Sequence, residues 1–110
     1  MPGLRQGSAE AVRQNAAAAL AELSCNTNAR DEIVRGLKPL IALLRAEGRH
    51  TKMYAAMALA RLSKDHQATQ SAIAQAGAIP LLVTLLDGSE GPEAQEEGAL
   101  ALLALADDEV

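Results

Sequence analysis

The side chains able to do nucleophilic or metal chemistry are few and lie far apart in the chain. Cys25 is the only cysteine, and the two histidines are His50 and His66. They have no helical i, i+4 relation, and zinc sites require three or four such ligands. Catalysis by a thiol requires an adjacent base, and no Cys–His pattern is present. We therefore interpret Cys25 as a packing residue at a helix end, and we predict neither a metal site nor enzyme activity.

The remaining polar clusters also have structural interpretations. The segment 88–91, Gly-Ser-Glu-Gly, is acidic and lacks the lysine of a phosphate-binding loop, so no cofactor is predicted. Asp65-His66 is typical of a helix cap. Asp107-Asp108-Glu109 offers charge to a basic partner, although a solvated segment is the simpler interpretation. A solvated first helical turn is expected for Glu93, Glu96 and Glu97.

Composition limits the classes of partner. The 110 residues correspond to one domain, the apolar content is 49%, and the only aromatic residue is Tyr54. Helix formers dominate, and the net charge of −4 without a basic stripe argues against nucleic acid. The longest apolar runs, 53–60 and 99–106, are far short of the roughly 20 residues that a bilayer requires. With no signal peptide and one cysteine, we expect a soluble cytoplasmic protein, with the nucleus possible.

The helices are separated by two similar breaks. Gly77 suits the left-handed position at a helix end, and Pro80 falls in the first turn of the next helix. The same arrangement of Gly36 and Pro39 lies 41 residues earlier. Ser8 is a candidate N-cap of the first helix. The predicted order is long, short, medium, long, short, medium and long helices.

The three long helices carry the same pattern of two small residues and two leucines on one face, at positions i, i+3, i+4 and i+7. In the last helix glycine takes the first small position. The three sets are Ala16, Ala19, Leu20 and Leu23; Ala55, Ala58, Leu59 and Leu62; and Gly98, Ala101, Leu102 and Leu105.

A period near 41 built from three helices resembles the armadillo repeat family, whereas tetratricopeptide and ankyrin repeats are shorter, at about 34 and 33 residues. HEAT repeats have two helices and fit the Gly-x-x-Pro break less well. The segments that carry the resemblance are AGAIPLLVTLL at 76–86 and PEAQEEGALAL at 92–102. The resemblance implies an all-α fold, a right-handed α-solenoid (α-α superhelix) of about two and a half repeats. We expect a flexible leader at 1–7 and an armadillo repeat domain at 8–110, divided into a third helix (8–24) and repeats 28–64 and 66–106.

In the armadillo family the third helices line a concave groove that holds extended peptides or partner proteins. The corresponding partner-binding residues here are Gln14, Ala18, Glu22, Met53, Met57, Arg61, Glu96, Leu100 and Ala104. The importin-alpha branch has tryptophan and asparagine ladders in this groove. Ala18, Met57 and Leu100 stand at the tryptophan positions, and Glu22, Arg61 and Ala104 at the asparagine positions. The ladders are therefore absent, and binding of nuclear-import signals is not predicted.

Each groove residue also has a structural interpretation. Met53 and Met57 would adapt to varied partner side chains, or they pack against neighbouring repeats. Arg61 would bind a partner's backbone or carboxylate, or it pairs with a nearby acid.

The last helix is apolar on nearly all sides, with Leu100, Leu102, Leu103 and Leu105. Leaving one leucine in water forgoes about 1.5–3 kcal/mol of burial. We therefore expect this end to stack on another copy or on further repeats.

The resemblance implies a non-enzymatic scaffold or adaptor that binds a protein or peptide segment along its third helices. Two alternatives stay open. One is the substrate-recognition part of a larger regulatory protein such as a ubiquitin ligase, and the other is a self-assembling structural unit.

Overall fold

Helices make up the regular structure of the chain, and the all-α prediction is confirmed. The computed structural model describes residues 2–64 and 66–106, and no strand occurs within these ranges. The helices are α1 (Pro2–Leu23), α2 (Thr27–Arg35), α3 (Leu37–Ala42), α4 (Arg49–Ser63), α5 (Gln67–Gln75), α6 (Ala78–Leu85) and α7 (Pro92–Ala106). A 3₁₀ turn, Leu43–Arg45, extends α3. The alternation of long helices with pairs of shorter ones agrees with the prediction. Within each pair the predicted lengths are wrong, because α3 and α6, with 6 and 8 residues, are shorter than α2 and α5, with 9 each.

The helix starts confirm one predicted cap, contradict another and reveal a third that was not predicted. Ser8 lies inside α1, which begins at Pro2, so the prediction of an N-cap at Ser8 is wrong. His66 caps α5, accepting the Thr69 backbone N–H at 3.3 Å. Asn26 caps α2 in the same way, with its Oδ1 bound to the backbone N–H groups of Asn28 and Ala29. Asp65 and the acidic segment 107–109 lie outside the described residues.

Gly77 and Gly36, which the sequence pattern makes equivalent, have different backbones. Gly77 has φ of 91° and lies in the left-handed region, as predicted. Gly36 has φ of −115°, which any residue can adopt. Pro80 and Pro39 both lie in the first turns of their helices, α6 and α3, as predicted. Only one of the two breaks therefore depends on glycine.

We expect Gly77→Ala to lower the free energy of unfolding by about 1 kcal/mol, because a Cβ in the left-handed region is strained. No atom lies within 4 Å of the added Cβ, so the cost is purely that of the backbone. Gly36→Ala is the control, and it should change stability by less than about 0.5 kcal/mol. Urea denaturation measures both. Equal losses at the two positions would show that the left-handed backbone at Gly77 is not the cause.

The three long helices form a row with α4 in the middle. Helix α4 packs along both α1 and α7, and these are the most extensive helix contacts in the molecule. Glu10, in the first half of α1, meets Thr51 near the start of α4. Ala21 and Arg61 meet near the ends of the same helices, so α1 and α4 are parallel. His50 and Met53 lie beside Glu93 and Ala94, so α7 runs parallel to α4 as well.

The core centres on α4. All four residues of its predicted face are fully buried: Ala55, Ala58, Leu59 and Leu62. The core also draws on every shorter helix, with buried side chains Ile33, Leu37, Leu40, Ile41, Leu44, Ile73, Ala78, Leu82 and Leu85. The end of α4 is closed by side chains of other helices. Arg30 donates to the carbonyls of Leu62 and Lys64, at 3.2 Å each, and Gln70 donates to that of Ser63 at 2.8 Å.

The predicted small-and-leucine face has different surroundings in the outer helices. In α7, Gly98 and Ala101 are buried while Leu102 and Leu105 are half-buried. In α1, Ala16, Ala19 and Leu23 are exposed and only Leu20 is half-buried. The residues that α1 does bury are Ala17, Ala21 and Ser24. The prediction is therefore wrong for α1, because no described helix covers that side of it and only the side facing α4 is buried.

Among the described residues no single helix is long and apolar enough to cross a membrane. The pair α5 and α6, bent by 85° at the break between them, passes that test by combined length and composition alone.

Candidate functional site

An open groove lies between the second halves of α4 and α7. Its volume is about 700 Å³, and its lining is mostly apolar. The residues that line it are Met57, Ala60, Arg61, Lys64, Glu97, Leu100, Leu103, Ala104 and Ala106. We call this feature the α4–α7 groove. Leu100 and Leu103 are 46% and 67% exposed, so two leucine side chains one turn apart on α7 are open to solvent.

The groove brings together four of the nine residues predicted to bind a partner: Met57, Arg61, Leu100 and Ala104. Met53 lies outside it, in a cleft of about 150 Å³ between the starts of α4 and α7. Met57 and Met53 are also packed against the core, so the structural interpretation holds for part of each side chain.

The other four predicted residues do not line the groove. Gln14 and Ala18 are half-buried on α1, on the far side of α4 from α7. Glu96 is exposed on α7, and Glu22 is exposed at the end of α1. The predicted row therefore extends over three helices, while the cavity occupies only the space between two of them.

Arg61 connects the groove to α1. Its Nη1 donates to the carbonyl oxygen of Ala21 at 2.7 Å and lies 3.8 Å from Glu22 Oε1. The guanidinium is about one-third exposed and has further N–H groups that these contacts do not use. Arg61 therefore both joins α4 to α1 and presents positive charge to the groove.

Glu97 lines the groove from the opposite helix, α7, near enough for the charge of Arg61 to act on it. Partial burial raises the pKa of the Glu97 carboxyl above its ordinary value, and the Glu96 carboxylate adds to the rise. The positive charge of Arg61 acts in the opposite direction. Ionisation of Glu97 therefore destabilises the folded state.

We expect Glu97→Gln to raise the free energy of unfolding at pH 7. A raised pKa means that the folded state favours the protonated carboxyl, so stability is lost as pH rises through that pKa. The gain should be a few tenths of a kcal/mol, since Glu97 remains partly solvated, and it should vanish near pH 3. Urea denaturation at pH 3, 5 and 7 measures it. Glu47→Gln, at an exposed position, is the control. A loss of stability at pH 7 in Glu97→Gln would contradict the assignment.

Sequence reasoning missed five residues of the groove: Ala60, Lys64, Glu97, Leu103 and Ala106. The predicted row used only i, i+4 steps along each helix. The face of a helix also includes i+3 neighbours, which would have added Ala60 and Lys64 to Met57 and Arg61, and Leu103 to Leu100.

The side chains considered for nucleophilic or metal chemistry, Cys25, His50 and His66, lie in different parts of the fold. His66 is a helix cap, and His50 lies in the cleft with Met53. Cys25 is exposed, so the prediction that it packs inside the fold is wrong. In the part of the chain that the structure describes, no three His, Cys, Asp or Glu side chains are grouped to hold a metal ion.

No family model matches the chain, and no curated protein and no solved structure was found to be similar to it.

Proposed function

We propose that the chain is an armadillo-type right-handed α-solenoid that acts as a non-enzymatic scaffold or adaptor. It binds an extended segment of a partner protein in the α4–α7 groove. The observation that carries the proposal is the row of parallel helices α1, α4 and α7, with an apolar groove open between two of them. Its site of action would be the cytoplasm or nucleus, where a single cysteine such as Cys25 stays reduced.

Equivalent positions in the first two long helices support the repeat interpretation. Ser24 and Ser63 are both buried. Each donates its hydroxyl to the carbonyl four residues earlier, at 2.6 and 2.8 Å. The caps Asn26 and His66 begin α2 and α5, the helices that follow α1 and α4. Chemically alike contacts thus recur one repeat apart.

The spacing of the groove residues favours an extended partner. Residues four apart on a helix, such as Met57 and Arg61 or Leu100 and Ala104, are about 6 Å apart along the axis. Alternate side chains of an extended segment, which point the same way, are about 6.6 Å apart. Successive turns of α4 and α7 can therefore meet successive side chains of one partner strand. A groove of about 700 Å³ is also within the usual range for ligand sites.

The test is selection of a random peptide library on the purified protein, followed by binding measurements with single variants. Leu103→Glu and Leu100→Glu place a charge in the apolar groove and should weaken selected peptides at least tenfold. Val12→Glu is the matched control, because Val12 on α1 is 65% exposed, close to the 67% of Leu103. Peptides that bind both groove variants as tightly as the unchanged protein would contradict the proposal, as would the absence of any selected peptide.

A second candidate function is self-assembly, which the exposure of Leu100 and Leu103 favours. Association of copies through α7 would bury these leucines. Sedimentation over a range of concentrations tests it. A stable monomer at high concentration would exclude it, and dimers abolished by Leu103→Glu would support it.

A further inference from the structure

The charged side chains of the α4–α7 groove are unevenly placed. Because α4 and α7 are parallel, the register along α7 puts Glu97 at one end of the groove and Ala104 and Ala106 at the other. Lys64, at the end of α4, lies at the second end. Lys64 and the Glu97 carboxyl thus lie toward opposite ends of the groove, and Arg61 lies one turn from Lys64 on α4, near enough for its charge to act on Glu97.

Lys64 is available to a partner. Its ammonium group makes no hydrogen bond or ion pair with any residue that the structure describes, and the residue is exposed. The carbonyl groups at the end of α4, which commonly attract such a lysine, are already bound by Arg30 and Gln70. Lys64 is therefore not required to close the helix.

Arg61 adds a second positive charge beside Lys64. Among the residues that the structure describes, the acid that forms an ion pair with it is Glu22, at 3.8 Å, which is 84% exposed and does not line the groove. A solvated carboxylate at this distance neutralises a guanidinium only weakly. At the other end, burial and the neighbouring Glu96 disfavour the ionised form of Glu97, so the groove attracts a basic partner less than its formal charges indicate.

We propose that the occupant of the groove is an extended segment with apolar side chains and an aspartate or glutamate at one end of them. Its apolar side chains lie against Met57, Leu100 and Leu103, and its carboxylate pairs with Lys64 and Arg61. This inference rests on the proposed function and adds the chemistry of the partner to it. An ion pair at a half-exposed site contributes about 1 kcal/mol, or roughly fivefold in affinity.

The test uses three libraries of acetylated and amidated nine-residue peptides. They share the same apolar residues and differ only in one charged position, which carries Glu, Gln or Lys and is scanned along the peptide. Blocking both ends removes the terminal charges, so only the side chain is compared. The protein variants are Lys64→Gln and Lys64→Glu, with Lys38→Glu, at an exposed position of α3, as the control. Circular dichroism confirms that each variant stays folded.

The unchanged protein and Lys38→Glu should bind the best Glu peptides about fivefold more tightly than their Gln counterparts. In Lys64→Gln the preference should fall below about twofold, and in Lys64→Glu it should turn toward the Lys peptides. Higher salt should reduce the preference in the unchanged protein. Peptides that bind without preference, or a preference unchanged by Lys64→Glu, would overturn the inference and leave the proposed function standing. Failure of all three libraries to bind would contradict both.

Discussion

Leu62→Ala is expected to lower the free energy of unfolding by about 3 kcal/mol. Leu62 lies on the central helix α4 and is 1% exposed. It belongs to a core to which every other helix contributes buried side chains. Removing a buried leucine side chain loses its transfer free energy and leaves a cavity, which together cost about 2–5 kcal/mol. For a domain of this size the midpoint of thermal unfolding should fall by roughly 10–20 °C.

The matched control for Leu62→Ala is Leu23→Ala. The two leucines occupy the same position of the repeated pattern, but Leu23 on α1 is 46% exposed. Its loss should cost less than about 1 kcal/mol, because much of its surface already contacts water. Urea denaturation of both variants makes the comparison. Similar losses at the two positions would mean that α1 is covered as thoroughly as α4, contrary to this structure.

Gly98→Leu should be comparably damaging, for the opposite reason. Gly98 is buried where α7 crosses α6, and an added Cβ would lie 3.0 Å from Leu85 Cβ and 3.3 Å from the Leu82 carbonyl oxygen. Both atoms are fixed to the backbone of α6, so the helices must separate. Overpacking costs about 1–3 kcal/mol, and we expect the upper end here because neither atom can move without its helix. Helix propensity returns about 1 kcal/mol of that cost. We expect a net loss of about 2 kcal/mol.

Ala99→Leu controls for the added leucine, because Ala99 is the next residue of α7 and is exposed. It should change stability by less than about 0.5 kcal/mol. Thermal and urea denaturation of the two variants measure the difference. A Gly98→Leu variant as stable as the unchanged protein would show that α6 and α7 do not approach as closely as described.

Local signals in the sequence predicted the helices well. Gly77 and Pro80 mark the break before α6 because one position needs a left-handed backbone and the next helix tolerates a missing N–H. The His66 cap is also local, since its acceptor binds an N–H group three residues ahead. Properties that depend on neighbours within about four residues can therefore be predicted from the local sequence.

Properties set by distant residues were not predictable in this way. The faces of α1 and α4 have the same residue pattern, yet Leu23 is exposed and Leu62 is buried. The difference lies in which helices surround each one, and the pattern does not contain that information. The same holds for Arg30, whose bonds to Leu62 and Lys64 join residues more than 30 positions apart.

The groove was predicted in part for a related reason. Met57, Arg61, Leu100 and Ala104, which were predicted to lie on one surface, all line this cavity. The cavity, however, depends on the gap between two helices, and the predicted pattern contained no information on that gap. Helical periodicity defines which residues share a face, whereas the distance between faces is set by packing.

The parallel row of α1, α4 and α7 is the feature on which the repeat interpretation and the groove both depend. Distances between paired spin labels test it most directly, in a Cys25→Ser background. The labels are introduced in pairs through Val12→Cys or Leu23→Cys on α1 and Glu93→Cys or Ala106→Cys on α7. With two steps of about 8–10 Å between helix axes, the same-end pairs 12–93 and 23–106 should be the shorter ones. The crossed pairs 12–106 and 23–93 should be longer by roughly 5–8 Å, because about ten residues of helical rise separate their levels. Crossed pairs that are equal to or shorter than the same-end pairs would contradict the account.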